Sequence, residues 1–243
     1  AYEQMNEEWE REHQESNHYD KNLHKAENKV IIEYICHILR KDQEDASKNP
    51  LSIYGLEADR EISLPIEGVG VIRIGGTIDR LDLIGEGSTQ KMRVIDYKSG
   101  VYKDDTHKKK MSATWENLMT DENKGYVRQT MMYSYAVEQS LKVESQKAES
   151  LRRREEVKSQ ELKVEPHLYF CSKDLLSDKM NTSIELEGET ISDFAKLSDT
   201  FKEQLTAKAK ELLTTTDFPQ CEENECPSFC EFFKLCNRKP NEF

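Results

Sequence analysis

The chain has 243 residues, 36% hydrophobic and 34% charged, with a formal net charge of −12; that length makes one ordinary domain or two small ones. Its longest apolar stretch, Val30 to Leu39, is interrupted by Glu33 and His37, well short of the ~20 apolar residues that cross a bilayer. The charge argues against a uniformly basic nucleic-acid binder. Residues 1–20, however, carry seven acidic side chains against Arg11 alone. Local basic clusters remain at Lys108-Lys109-Lys110 and Arg152-Arg153-Arg154, and a phosphate backbone responds to potential within a Debye length of ~8–10 Å.

The chain opens Ala-Tyr-Glu-Gln, neither basic nor apolar, so no secretory signal is read and a cytoplasmic location is expected. The lack of an initiator Met suggests a domain cut from something longer, with 1–21 an acidic segment continued from upstream sequence. From Asn22 to about Gln43, Leu23, Val30, Ile31, Tyr34, Ile35, Ile38 and Leu39 recur at helical spacing, predicting a long helix with a broad buried stripe. Asn49-Pro50 ends it. Three strands are expected next: Ile53 to Leu64, broken near Asp59-Arg60, then Val69 to Ile84, then Met92 to Lys98. Gly68, Gly85 and Gly87 mark the turns. Residues 99–122 read as a polar loop with a basic centre, and Lys124 to Val143 as a second core helix. Residues 142–163 read as a charged, solvated excursion. Val164 to Cys171 reads as a fourth strand and Ile191 to Leu213 as a further amphipathic helix. The expected organisation is therefore an acidic segment over 1–21, a core over 22–190, and a C-terminal helix and cysteine cluster over 191–243.

Cys36 and Cys171 stand apart, whereas Cys221, Cys226, Cys230 and Cys236 fall within sixteen residues. Such clustering without a signal peptide points to metal ligands rather than a disulfide framework. Four thiolates suit a [4Fe–4S] cluster or tetrahedral Zn²⁺.

The most informative stretch is Gly76-Thr77-Ile78-Asp79-Arg80-Leu81-Asp82, followed by Val94-Ile95-Asp96-Tyr97-Lys98-Ser99-Gly100. Side chains alternate along a strand, so Asp96 and Lys98 share one face and Ile95 and Tyr97 the other. Charges at the end of an apolar strand are costly unless paired or bound to a metal. A second carboxylate from the neighbouring strand, Asp79, completes a hard oxygen site suited to Mg²⁺ or Mn²⁺. The plainer alternative is a solvent-facing strand end with Asp96 and Lys98 as a surface pair.

These residues resemble the PD-(D/E)xK nuclease superfamily, in particular its RecB-like branch. That branch's signature runs Gly-x-x-Asp, Asp-Tyr-Lys and Gln-x-x-x-Tyr. Gly76-Thr77-Ile78-Asp79, Asp96-Tyr97-Lys98 and Gln129-Thr130-Met131-Met132-Tyr133 match the three pieces in order. The resemblance implies an α/β fold: a restriction-endonuclease-like αβββαβ core with a mixed central sheet flanked by helices, plus the C-terminal helix and cysteine-rich tail.

It also implies a metal-dependent deoxyribonuclease, the exonuclease domain of a RecB/AddB-like DNA repair and recombination protein. Asp79, Asp96 and the Tyr97 carbonyl would hold the ion. Lys98 would orient the attacking water and stabilise phosphate charge, with Gln129 and Tyr133 steadying Lys98 or the scissile phosphate. Lys108, Lys109 and Lys110 are candidate DNA contacts. Implied partners are DNA and a helicase domain or subunit. The segment Cys230-Glu-Phe-Phe-Lys-Leu-Cys236 is similar to the end of the iron–sulfur clasp of AddB-type and CRISPR-associated adaptation nucleases. The middle gap departs from theirs, three residues instead of two.

RecB-like nucleases also carry a metal-ligand His upstream. Here only His13, His18, His24 and His37 precede the first Asp, none in the expected Gly-x-x-x-His setting; His24 is the best local candidate, and the expectation is that the ligand lies upstream of Ala1 and that the fragment is then inactive. Glu57 is a candidate supporting acid or a solvated strand residue. Two other readings stay open: a catalytically incomplete nuclease-fold module that binds DNA or a partner subunit, and an interaction protein built on a structural zinc clasp.

Overall fold

A helix, three antiparallel strands, a second helix and a parallel strand follow one another along the chain, the αβββαβ order of a restriction-endonuclease-like core. The computed structural model describes residues 25–99, 111–151, 162–171 and 181–217. Helix α1 is Lys25–Lys48, β1 Leu51–Ile66, β2 Gly70–Ile84 and β3 Lys91–Lys98. A two-residue strand, β4 (Ser112–Ala113), precedes α2 (Gly125–Leu151) and β5 (Lys163–Phe170). Two further short strands, β6 (Glu185–Leu186) and β7 (Glu189–Thr190), lead to α3 (Ser198–Thr214). None of the described helices is long and apolar enough to cross a membrane.

The main sheet has the order β1-β2-β3-β5, antiparallel at the first two junctions and parallel at the third. A parallel partner for β3 requires a crossover, which α2 supplies. At the β1–β2 turn Gly68 sits at φ 79°, a left-handed conformation that glycine adopts without a Cβ penalty. On the other side of β5, Leu168 N–H donates to the Thr182 carbonyl at 2.9 Å. A small sheet, β4-β6-β7, lies beside the core; its tight hairpin Glu187-Gly188 has positive φ at both residues, the backbone a two-residue hairpin needs.

The two faces of the sheet differ in chemistry. Under α2, Leu81, Met92, Val94, Val164, Leu168 and Phe170 are at most 1% exposed. Met131, Val127 and Tyr135 of α2 and Phe194, Phe201 and Leu205 extend the same apolar cluster. Edge-on and tilted ring contacts join Tyr135, Phe194 and Phe201 at 5.6–6.5 Å. Each such pair adds about 0.5–1.5 kcal/mol beyond its buried area.

Under α1 the sheet is charged. Arg80 Nε–H donates to Asp82 Oδ1 at 2.6 Å and Arg80 Nη1–H to Asp42 Oδ2 at 2.6 Å. Arg93 reaches Asp82 Oδ2 at 2.8 Å and Asp45 Oδ2 at 2.5 Å, and Lys41 closes onto Asp45. Lys41, Arg80 and Arg93 thus balance Asp42, Asp45 and Asp82, and Asp82 is fully buried between its two guanidinium groups.

Four expectations change here. The apolar stripe of the first helix is not a buried stripe: Val30, Ile31 and Leu39 are 44%, 41% and 59% exposed. Helix α1 is held instead by the carboxylates at its C-terminal end. Strand β1 runs without a break through Asp59-Arg60; its register irregularity lies at Ile53/Gly55, near Glu57 at φ 46°. Helix α3 starts at Ser198 rather than Ile191, because the Asp193 side chain caps a separate 3₁₀ turn over Phe194–Lys196, accepting from Ala195 N–H at 3.2 Å. The second core helix continues past Val143 to Leu151. The Lys108-Lys109-Lys110 cluster, Arg152-Arg153-Arg154, His13, His18, His24 and the four tail cysteines lie outside the described residues. Cys36 is half-buried and Cys171 buried.

Candidate active site

The β2–β3 ladder ends at the Arg80–Ile95 pair. Asp79 and Asp96 occupy the next position on their respective strands, so the two carboxylates face each other where the strands part. The fork leaves the Tyr97 N–H without a strand partner on this side, and Asp79 supplies one: Tyr97 N–H donates to Asp79 Oδ2 at 2.7 Å.

Asp96 is 2% exposed, which rules out the surface-pair reading. The Lys98 ammonium lies 2.6 Å from Asp96 Oδ2, so the buried carboxylate is ion-paired with the lysine. Burial pushes the Asp96 carboxyl above its ordinary value; Lys98 opposes the shift and the charge of Asp79 adds to it. A buried carboxylate facing a second carboxylate is a donor set suited to a hard divalent cation. Among the described residues no third His, Cys, Asp or Glu joins them. Glu57 is exposed, and the Nε2 of His37 is buried without a partner in α1.

Helix α2 presents a row of side chains to Lys98. Lys98 Nζ donates to Gln129 Oε1 at 3.0 Å, and Gln129 Nε2 donates to Tyr133 Oη at 2.9 Å. This relay fixes which way the Gln129 amide faces: oxygen to the ammonium, nitrogen to the phenol. Tyr133 is buried and also packs, as core packing would require. A Cβ added to Gly76 would sit 3.1 Å from Tyr133 Cε1 and 3.2 Å from its hydroxyl. The glycine of the Gly76-x-x-Asp79 motif is therefore the space into which the tyrosine of the Gln129-x-x-x-Tyr133 motif fits.

One member of the row escaped the sequence reading. Tyr126, three residues before Gln129 and so on the same helix face, places its ring 4.8 Å from Lys98 Nζ. The ring also lies 6.0 Å from that of Phe170. An ammonium over an aromatic face gains about 0.5–2 kcal/mol. The available signal was an aromatic one helical turn upstream of the motif glutamine.

Fold order, opposed carboxylates and the lysine relay on one side of one sheet agree with what the chain is similar to. The family model described as the PD-(D/E)XK nuclease superfamily matches residues 1–237. No curated protein matches the chain.

Proposed function

Because this chain belongs to the PD-(D/E)XK nuclease superfamily, we propose that it hydrolyses DNA phosphodiester bonds with Mg²⁺ or Mn²⁺ at the fork between β2 and β3. The observation that carries this reading is the buried Asp96 carboxylate, opposed to Asp79 where the strands part and ion-paired with Lys98. Asp79 and Asp96, with the Tyr97 backbone carbonyl, would hold the ion. When bound, a divalent cation lowers the pKa of water and neutralises charge on a reacting phosphate.

The chain's own residues do the rest. Asp79 stays oriented because one of its oxygens is engaged by the Tyr97 amide. Among the described residues Lys98 is the cation paired with these carboxylates, so it orients the attacking water and donates to the phosphate oxygens as charge develops. Gln129 holds Lys98 from the helix side and Tyr133 holds Gln129. Both are positioning residues here.

A RecB/AddB-like exonuclease in DNA repair and recombination, working in the cytoplasm beside a helicase domain or subunit, is the finer reading. It is supported by the order of Gly76-x-x-Asp79, Asp96-Tyr97-Lys98 and Gln129-x-x-x-Tyr133. Cys221, Cys226, Cys230 and Cys236 are assigned to one [4Fe–4S] or Zn²⁺ centre on their spacing, and Lys108, Lys109 and Lys110 to the DNA backbone on their charge.

In the full-length protein, Asp96→Ala and Lys98→Ala should each abolish Mg²⁺-dependent cleavage of a labelled DNA while leaving circular dichroism unchanged. Cleavage at the wild-type rate by either variant would sink the assignment. Tight DNA binding without cleavage by the unaltered protein would replace it with the binding-module reading.

A further inference from the structure

The motif residues Arg80 and Tyr97 flank the carboxylates in sequence, yet their side chains have no part in the reaction above. Alternation along the strands turns both to the α1 face. There Arg80, 4% exposed, is held by carboxylates from two different elements, Asp42 of α1 and Asp82 of its own strand, each at 2.6 Å. The same Nη1 that binds Asp42 also donates to the Tyr97 hydroxyl at 3.3 Å. The Tyr97 ring is braced a second time, edge-on against Tyr169 at 5.5 Å and 81°. Its main-chain N–H in turn holds Asp79 at 2.7 Å.

A continuous run of contacts therefore passes from α1 through the sheet to the site: Asp42, Arg80, Tyr97, Asp79. We propose that Asp42 and Arg80 are positioning residues, which hold Tyr97 so that its amide and its neighbours Asp96 and Lys98 meet Asp79 in a cation-ready arrangement. The proposal rests on the nuclease reading and adds α1 to the machinery of that site.

Three features make this more than scaffold packing. Arg80 cannot follow a displaced Tyr97, because its planar fork is fixed from both sides. Tyr97 lies between Asp96 and Lys98 in the chain, so any shift of its backbone moves all three groups. The ionic lattice also has a built-in control: Asp45 binds Arg93 and Lys41, and Arg93 pairs in register with Asp82, two positions down the ladder from the Arg80–Ile95 pair and away from the fork. One end of the lattice touches the catalytic strand's end, and the other does not.

The test is Mn²⁺ binding to the DNA-free protein, read from loss of the aqueous Mn²⁺ electron paramagnetic resonance signal, alongside steady-state cleavage. Asp42→Asn and Tyr97→Phe should each raise the Mn²⁺ dissociation constant about tenfold, the usual scale for a residue supporting a ligand. They should also lower kcat while KM for DNA stays within about twofold. Asp45→Asn, which costs stability in urea unfolding, should bind Mn²⁺ like the wild type. Should Asp42→Asn fail to fold, Tyr97→Phe, which removes one oxygen only, carries the test. Wild-type Mn²⁺ affinity in Tyr97→Phe, or an equal loss in Asp45→Asn, would assign the lattice to stability alone. Asp96→Asn separates the two failures: if it binds Mn²⁺ as the wild type does, the metal-site reading itself falls; if it loses Mn²⁺ and Tyr97→Phe does not, only the positioning role falls.

Discussion

The two faces of the central sheet are built from different physics and do different work. The α2 face is closed by apolar side chains and opens onto the carboxylates and Lys98 at one end; the α1 face is closed by three cations and three carboxylates. Apolar packing is non-directional and tolerates small adjustments, whereas a buried guanidinium bound to two carboxylates admits one geometry. The difference teaches where precision is needed: Asp79, Asp96 and Lys98 of the candidate site sit on the soft side, and the proposed positioning role refers their alignment to the rigid one.

The sharpest way to break this contrast is to remove the carboxylate shared by both arginines. Asp82→Ala leaves Arg80 and Arg93 incompletely compensated in a buried site, and unfolding free energy in urea should fall by about 3–5 kcal/mol. A loss under about 1 kcal/mol would make the lattice ornamental. On the other face, Met131→Ala opens a cavity under α2 and should cost about 2–4 kcal/mol. That cost should be the same at low and high salt. A marked salt dependence would place charge where the structure has none.

Acid should distinguish the faces next. Burial holds His167 below its ordinary value, so it is neutral in the folded chain and takes up a proton on unfolding. Burial raises Asp45 and Glu165, but their partners outweigh it: hydrogen bonds from Lys41 and Arg93 for Asp45, the nearby His167 imidazole and the hydrogen bond from Lys91 for Glu165, leaving both carboxyls below their usual range. In all three cases the unfolded chain binds more protons. Stability therefore falls as pH drops, first below about 6.5 through His167 and further below about 4.5 through the carboxylates. Urea midpoints between pH 8 and 5 should decline in the wild type and flatten in His167→Asn. A wild-type midpoint independent of pH in this interval would contradict the buried neutral imidazole.

The smallest expected effect concerns the ring against Lys98. Tyr126→Leu should lower kcat about threefold to tenfold, the rate equivalent of a cation–π contact, and Tyr126→Phe should restore it with KM unchanged. If Phe and Leu behave alike, the ring is only packing.

Much of this architecture was legible in the sequence, for identifiable reasons. Strand alternation put Asp96 and Lys98 on one face, and helical spacing put Gln129 and Tyr133 on one side of α2; both follow from local geometry. The order of elements followed from where apolar period changes. What escaped depends on contacts distant in the chain. Asp42 and Arg80 are 38 residues apart, and Asp45 and Arg93 are 48 apart. Asp42 and Asp45 on a helix read as a solvated face until something opposite proves to be an arginine. The same omission misassigned the buried side of α1: periodicity locates an apolar stripe but not what lies beneath the helix, and here the docking side is the charged one. Tyr126 escaped because its partner is a lysine on another element.

The fork between β2 and β3 has a spectroscopic consequence. Next to the site, one peptide group, the Tyr97 N–H, has a side-chain carboxylate as its acceptor instead of a strand carbonyl. Any turn of Asp79 towards an incoming cation loosens that hydrogen bond, so amide exchange and the proton chemical shift at Tyr97 would register the event directly. Neighbouring amides in the β2–β3 ladder, from Leu81 to Ile84, keep their partners throughout and provide the internal reference. A single backbone resonance thereby becomes a titration curve for the site, readable without DNA and without turnover.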